Sequence, residues 1–416
     1  MPLTPATLFD RVRDVQRTMA PWPYAELDVE ALKATGWRPK PFSEVILKVH
    51  QRCNLACDYC YVYEHADQSW RDRPPAMPGE VRDAAIARIA AHAGRHGLKD
   101  LRVVLHGGEP MLYGIDRLTT LAESLRRAVP PGCHVEIGMQ TNGVLLTEAT
   151  VRALVAHRIR VGISLDGTAA GHDQHRRFKD GRGSFSAVAR GIELLRRPEF
   201  RSSYSGLLTT MNVNIDPELG YQQLMAFEPP AMDLLLPHAT WSDPPPRPMG
   251  APSYAEWLIA FFDRWYADQS PTRVRLFESA IRVLLGGRSD SEQLGLSPSG
   301  AIVIESDGDI EQVDALKVAY PGAAATGLNV RTDDLDAALD DPGVVARQIG
   351  RAALADECRA CPLVDACGGG HYVHRYRAGA GFRSPSVYCT DLDVFVRHVQ
   401  RTVSADLRRR RSVDGL

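Results

Sequence analysis

The 416-residue chain carries 44% apolar and 24% charged residues, with 49 Lys+Arg against 51 Asp+Glu. That is the make-up of an ordinary globular protein of two or three domains with a substantial core. Charge this evenly balanced gives no global field to gather nucleic acid or a membrane surface, and neither is expected as a partner. The N-terminus lacks an apolar signal core, and no run approaches the ~20 apolar residues that span a bilayer. A cytoplasmic location with reduced thiols follows as the expectation, and there clustered cysteines bind metal more often than they pair.

In chain order, residues 1–42 read as a helical lead-in ("PATLFDRVRDVQRTM") and a proline-broken stretch. Six β-rich runs follow at 44–50, 101–108, 134–143, 159–167, 204–213 and 231–239. Helical patterns separate the earlier runs, at 80–97, 116–129 and 147–158. Strand and helix in alternation predict a parallel α/β sheet or barrel over 43–240. Polar and glycine residues gather at the ends of its strands ("GGEP", "QTNG", "SLDG"), the edge that carries active sites in such folds. Residues 241–297 read as a proline-rich linker ("TWSDPPPRPMGAP", 240–252) and bridging helices at 253–269 and 273–286. A second unit is expected at 298–395, opening with a hairpin (300–314) that turns at Asp307–Gly308. Residues 396–416 read as a C-terminal helix or tail, whose arginine run Arg408–Arg411 suits a solvated surface.

Seven of the eight cysteines fall into two groups. Cys53, Cys57 and Cys60 crowd one loop after the first strand, and three close thiolates can hold a metal. A zinc site wants four ligands, which His50 or His65 could complete. An iron–sulfur cubane uses one thiolate per iron, so three would leave one iron open to a substrate or cofactor. Cys358, Cys361, Cys367 and Cys389 form a second group, spaced CxxC, five residues, C, twenty-one residues, C. Four thiolates saturate a cubane and could also hold zinc. Cys133 stands apart as a structural thiol.

The CxxxCxxC motif, with its aromatic at Tyr59, resembles that of the radical SAM superfamily. The resemblance implies a partial (β/α)6 TIM-like barrel. It also implies a [4Fe–4S] cluster on Cys53, Cys57 and Cys60, whose open iron binds S-adenosylmethionine and cleaves it to a 5′-deoxyadenosyl radical. Gly107, Gly108 and Glu109 match the segment that takes the cofactor's ammonium in that family. Asn142 matches a position near cofactor and substrate. Ser164 and Arg176, twelve residues apart, match a pair on the cofactor's carboxylate and ribose, and Leu208 a residue that packs on adenine. Asp166, His172, Asp173 and His175 lie nearby, with roles left open.

The second group resembles one half of a SPASM domain, the auxiliary-cluster module of radical SAM peptide-modifying enzymes. Only the ligand pattern of the distal cluster is kept, which implies one auxiliary [4Fe–4S] cluster. Two cysteines of the family's proximal cluster are replaced, by Val313 and His371. Asp314 matches the proton-accepting aspartate of related sulfatase-maturing enzymes. The stretches 306–317, 367–376 and 384–389 resemble FxsB-type cyclophane-forming peptide maturases most. That implies a ribosomal precursor peptide as substrate, a carbon–carbon crosslink between an aromatic ring and a side-chain Cβ, and a small electron donor of flavodoxin or ferredoxin type. Sulfatase maturation, thioether formation or epimerisation is the alternative within the same chemistry, and a zinc-binding scaffold is the alternative outside it. The peptide is expected in a groove between barrel and C-terminal unit. A fused leader-binding winged-helix module is not expected in the short lead-in.

Overall fold

Alternating β-branched runs and amphipathic helices build one continuous sheet with helices packed on it. The computed structural model describes residues 5–268 and 271–413. The first four residues of the lead-in, Gln269 of the bridging helix and the last three residues of the tail lie outside that description. In chain order the strands are β1 (Glu44–His50), β2 (Leu55–Cys57), β3 (Asp100–Gly107), β4 (His134–Thr141), β5 (Ile159–Ser164), β6 (Arg176–Phe178), β7 (Tyr204–Thr210), β8 (Ala231–Leu235), β9 (Arg273–Val274), β10 (Ala301–Ile304), β11 (Asp309–Glu311) and β12 (Ala325–Asn329). Ten of them form a sheet of order β12-β11-β10-β1-β3-β4-β5-β7-β8-β9. Every pairing from β10 through to β9 is parallel. The six strands expected from the sequence are its central run, so the radical SAM-type α/β architecture is the one observed.

Helices Gly79–Arg95, Ile115–Ala128, Glu148–Ala156, Phe185–Arg196 and Pro217–Met225 link successive parallel strands. Their buried stripes meet the alternating inward residues of the strands, as Leu118, Leu121 and Leu125 do with Val103 and Leu105 in the main core. Their starts are chemically marked: Thr147 and Thr150 form a reciprocal capping box, and Asp216 caps the Leu219 N–H. The bridging helix runs over Tyr254–Ala267 behind a Ser253–Glu256 capping box. Helix Cys389–Val413 closes the described chain.

One feature of the sheet was not legible in the sequence. The 300–314 hairpin pairs parallel with β1, Glu44 against Ala301 through Leu47 against Ile304. It thereby covers a sheet edge that would otherwise present unpaired backbone groups. A buried ion cluster locks this junction. Lys48 Nζ lies 2.8 Å from Asp314 Oδ2, Lys317 contacts Glu305 and Glu311, and Arg73 bridges Asp307 and Glu311 at 2.7 Å each. The start of the C-terminal unit, β10 to β12, is thus an extension of the main sheet.

Candidate active site

Because the strands are parallel, their C-terminal ends share one edge, and six different loops meet there. The cysteine loop is pinned first. β2 and β6 pair antiparallel with Cys57 opposite Arg176, and the Asp58 N–H donates to the His175 carbonyl at 3.3 Å. Turns from Cys57 O to Cys60 N–H and from Cys60 O to Tyr63 N–H bring the thiols to one side. At the end of β3 the backbone passes so close to β1 that a Cβ on Gly107 would lie 2.1 Å from the His50 carbonyl oxygen. A Cβ on Gly108 would lie 1.9 Å from Tyr63 Oη and 2.6 Å from the Arg52 carbonyl carbon. Only glycine fits at either place.

A cavity of about 350 Å³ opens at this edge, of the size that holds small molecules. Cys53, Tyr59, Cys57, Cys60, Gly107, Gly108, Asn142, Ser164, Arg176 and Leu208 all line it. Residues from the loop after β1 through to β7 therefore share one cavity wall. Two do not reach its wall. Glu109 is fully buried behind it, with its carboxylate accepting from Thr141 Oγ1 (2.6 Å), Asn142 N (2.9 Å) and Met111 N (3.0 Å). Burial pushes its pKa up against those hydrogen bonds. It ties the "GGEP" turn to the "QTNG" turn. Asp314 sits in the ion cluster, behind the cavity residues Tyr61 and His106. Burial opposes its ionisation, but the Lys48 and Lys317 ammoniums outweigh that and hold it below the usual carboxylate range.

Arg176 is the charged anchor. Its Nη1 donates to Tyr59 Oη at 2.9 Å, and Tyr59 in turn donates to Asp166, which also accepts from Thr210 N at 2.9 Å. Burial works against the guanidinium, yet Tyr59, Cys57 and Asp166 together raise its pKa, so it stays charged. Its Nε is buried without a hydrogen-bond partner. Asn142 Nδ2 reaches Cys53 Sγ at 3.7 Å, and Gln140 Nε2 donates to Ser164 Oγ at 2.9 Å. Asp166 and Gln140 thus gain definite positions. The sequence reading passed over Tyr61, Tyr63, His106 and His238, which also line the cavity. Their signal was placement: each follows or ends a parallel strand.

The donors fit a cubane better than a single ion. Tetrahedral zinc at ~2.3 Å from each sulfur holds thiolates ~3.8 Å apart. Among the described residues, the groups of three or more ligand atoms within 4.8 Å of one another contain no cysteine. Thiols spread more widely suit a cluster in which each binds its own iron. The free Arg176 Nε suits a carboxylate, which a guanidinium grips well.

The second group also assembles. Cys358 and Cys361 share a tight turn, Cys367 ends the helical turn Val364–Cys367, and Cys389 opens the C-terminal helix. Cys389 lies within electrostatic reach of Cys358, Cys361 and Cys367. Buried Arg375 donates to the carbonyls of Gly368 (2.7 Å), Gly369 (3.1 Å) and Gly370 (2.7 Å), shaping the turn after Cys367.

Comparison with known proteins agrees with this geometry. The family model of the radical SAM superfamily matches residues 47–218. The chain is 27% identical over 300 residues to the cysteine-type anaerobic sulfatase-maturating enzyme of Clostridium novyi, spanning 68% of this chain and 77% of that one. It is 32% identical over 166 residues to the serine-type enzyme of Klebsiella aerogenes, 40% of each. Among solved structures, anSMEcpe with bound AdoMet superposes with a TM-score of 0.73 at 21% identity, over 87% of this chain and 98% of that one. SuiB of Streptococcus suis bound to precursor peptide SuiA gives 0.55 at 18% identity, over 86% and 78%.

The fold is therefore the radical SAM α/β fold with a SPASM-type C-terminal part. The chain is related to the anaerobic sulfatase-maturating enzymes, and its match to the radical SAM superfamily spans residues 47–218. Its cofactors are a [4Fe–4S] cluster that binds S-adenosylmethionine, S-adenosylmethionine itself and an auxiliary [4Fe–4S] cluster. No helix of the described residues is long and apolar enough to cross a membrane.

Proposed function

We propose that the protein modifies a ribosomally made precursor peptide, joining an aromatic ring to a side-chain Cβ. The observation that carries this reading is the single cavity that collects the three-cysteine loop and Arg176 and extends to Pro237, His238, Asp243 and Pro244, on the way into the C-terminal part. That shape leaves room for a peptide beside a cofactor. Support for a peptide comes from relatives whose structures hold one, anSMEcpe with Cp18Cys peptide and SuiB with SuiA.

In this reading Cys53, Cys57 and Cys60 hold the first cluster, and Cys358, Cys361, Cys367 and Cys389 the auxiliary one. When bound, cluster and S-adenosylmethionine supply a 5′-deoxyadenosyl radical. Arg176, through its free Nε, and Ser164 orient the cofactor's polar groups. Gly107 and Gly108 allow its close approach, Tyr59 and Asn142 hold the loop, and Leu208 offers an apolar face. Glu109 acts from behind, by fixing the turns. The crosslink removes one hydrogen atom from Cβ and one proton and one electron from the ring. Asp314, which stands behind the wall residues Tyr61 and His106, receives the proton through them. Held low by two ammoniums, it is a weak base, but a ring regaining aromaticity gives up its proton readily. The electron leaves to a one-electron acceptor, with the four-cysteine site as candidate, and a flavodoxin- or ferredoxin-type protein donates the initiating electron. We place this chemistry in the cytoplasm, where the thiols stay reduced.

Sulfatase maturation is the second reading, favoured by the sequence relatives. Replacement of two proximal-cluster cysteines by Val313 and His371 weighs against it. Tandem mass spectrometry of a candidate precursor after anaerobic turnover separates the two. A product lighter by two hydrogens that resists backbone cleavage across three residues supports the crosslink. Oxidation confined to one residue would refute it. For Asp314→Asn, deoxyadenosine should still form while crosslinked product falls by about 10²–10⁴. Equal loss of both would remove the base role. The variant also leaves Lys48 unpaired, at a cost of about 3–5 kcal/mol, so its melting curve must accompany the assay.

A further inference from the structure

Three histidines come together next to the cavity and have no part in the chemistry above. His238 follows β8, His371 caps the short helical turn Tyr372–Arg375, and His374 lies within it. One ligand nitrogen of each lies within 4.8 Å of the other two. Their rings are mutually tilted, with centroids 5.6 Å (His238–His371), 6.0 Å (His238–His374) and 5.1 Å (His371–His374) apart. They converge through their edges; they do not stack.

His374 is 1% exposed, and neither of its ring nitrogens has a hydrogen-bond partner. Nδ1 of His238 is also buried and unpartnered. A neutral imidazole carries one N–H and one lone pair, and each left unsatisfied in the interior costs about 1–3 kcal/mol. Packing alone gives no reason to gather three such rings. Burial pushes His238 down to about 3 and His371 to about 4, and His374 well below its ordinary value, so all three rings are neutral at pH 7, and the Nδ1 lone pair of His371 is engaged only by a long 3.4 Å contact from the Val373 N–H, which an ion would displace.

The surroundings suit a cation. Glu292 Oε2 stands 3.8 Å from His371 Nε2, where a carboxylate can orient a ligating ring. Asp314 adds negative potential at His238. Arg347 and Arg375 act in the opposite sense on His371, but the Arg375 guanidinium is turned onto three backbone carbonyls. His238 lines the main cavity, and His371 lines a smaller one of about 60 Å³ together with Glu292 and Val313. The cluster forms part of the partition between them.

We propose that His238, His371 and His374 form a binding site for a late first-row divalent metal ion, separate from both cysteine groups, at the wall of the reaction cavity. Imidazole nitrogen is a favoured donor for such ions. Three protein ligands leave a coordination position for water or a substrate oxygen, as in catalytic rather than structural sites. In that place the ion would hold a carbonyl of the bound peptide. The site stands independently of the crosslinking reaction, because occupancy is read without cofactor or peptide.

The probe is Zn²⁺ on the protein already loaded with iron and sulfide under anaerobic conditions. After dialysis, one zinc per chain should remain beside an unchanged iron content. X-ray absorption at the zinc edge should show nitrogen at about 2.0–2.1 Å with imidazole outer-shell scattering. His238→Gln and His371→Gln should each weaken zinc more than the 10–100-fold typical of an outer-shell change, with iron unaltered. Zinc should raise the melting temperature of the wild type and leave that of the variants where it was. No retained zinc, sulfur scattering around it, or undiminished zinc in both variants would overturn the proposal. The wild-type absorption spectrum decides the matter even if both variants misfold.

Discussion

Cys53, Cys57 and Cys60 sit on a loop pinned by a two-stranded ladder, by two glycine-dependent backbone crossings and by the Asn142 amide. Cys358, Cys361 and Cys367 sit on or beside short helical turns, and the exposed Cys389 opens the long helix Cys389–Val413. The first group opens on a cavity with an unpartnered guanidinium nitrogen; the second is backed by Arg375, whose Nε and Nη2 donate to three carbonyls. Three thiols beside a free cation and open volume suit a centre that must exchange a ligand. Three thiols on tight turns and a fourth at a helix start suit a centre that only has to be held. The same element of chemistry is presented in two ways, and the contrast lies in the surroundings of the sulfurs.

Substitutions at the two groups test that contrast. Cys57→Ala should reduce anaerobic deoxyadenosine formation to background; undiminished cleavage would erase the distinction altogether. Loading of the first site should depend steeply on pH. Burial pushes Cys53 up to about 12 and Cys57 up to about 11, so the apo thiols are protonated near neutrality. Each must lose a proton to bind iron, and the proton is released on loading. Affinity should therefore rise with pH below those values, by up to about tenfold per unit for each thiol. Iron and sulfide uptake by apo protein at pH 7, 8 and 9 measures this, and a flat profile would contradict it. Arg176→Lys keeps the charge but loses the planar fork, and should lower deoxyadenosine formation about tenfold, mostly through the apparent affinity for S-adenosylmethionine. Smallest on this readout is Cys389→Ser. Iron should drop from about eight to about four per chain, while S-adenosylmethionine cleavage stays within about twofold, as for independent, distant sites.

The order of strands and helices through the first half of the chain was legible because it is a matter of local period. The apolar run of β1, the alternating burial of β3 and the helical stripe of Ile115–Ala128 rest on local pattern rather than on distant neighbours. The parallel pairing of β10 with β1 could not be read that way. It joins residues far apart in the chain, and four-residue apolar runs do not name their partners. The site divides likewise. Gly107, Gly108, Asn142, Ser164 and Arg176 reached the cavity because each stands at the end of a parallel strand or faces the cysteine loop from β6. Glu109 was recognised as part of its motif, but its orientation was decided by three hydrogen-bond donors from its own turn and from the end of β4.

By itself the sequence determined which thiols act together and which edge of the sheet is chemical, because cysteine spacing and strand polarity are properties of contiguous chain. Only the tertiary structure decided that Asp314 is clamped between Lys48 and Lys317, that Arg176 keeps a free nitrogen, and that His238 meets His371 and His374. Those outcomes depend on desolvation and on contacts between distant segments, and neither is encoded in any one stretch of residues.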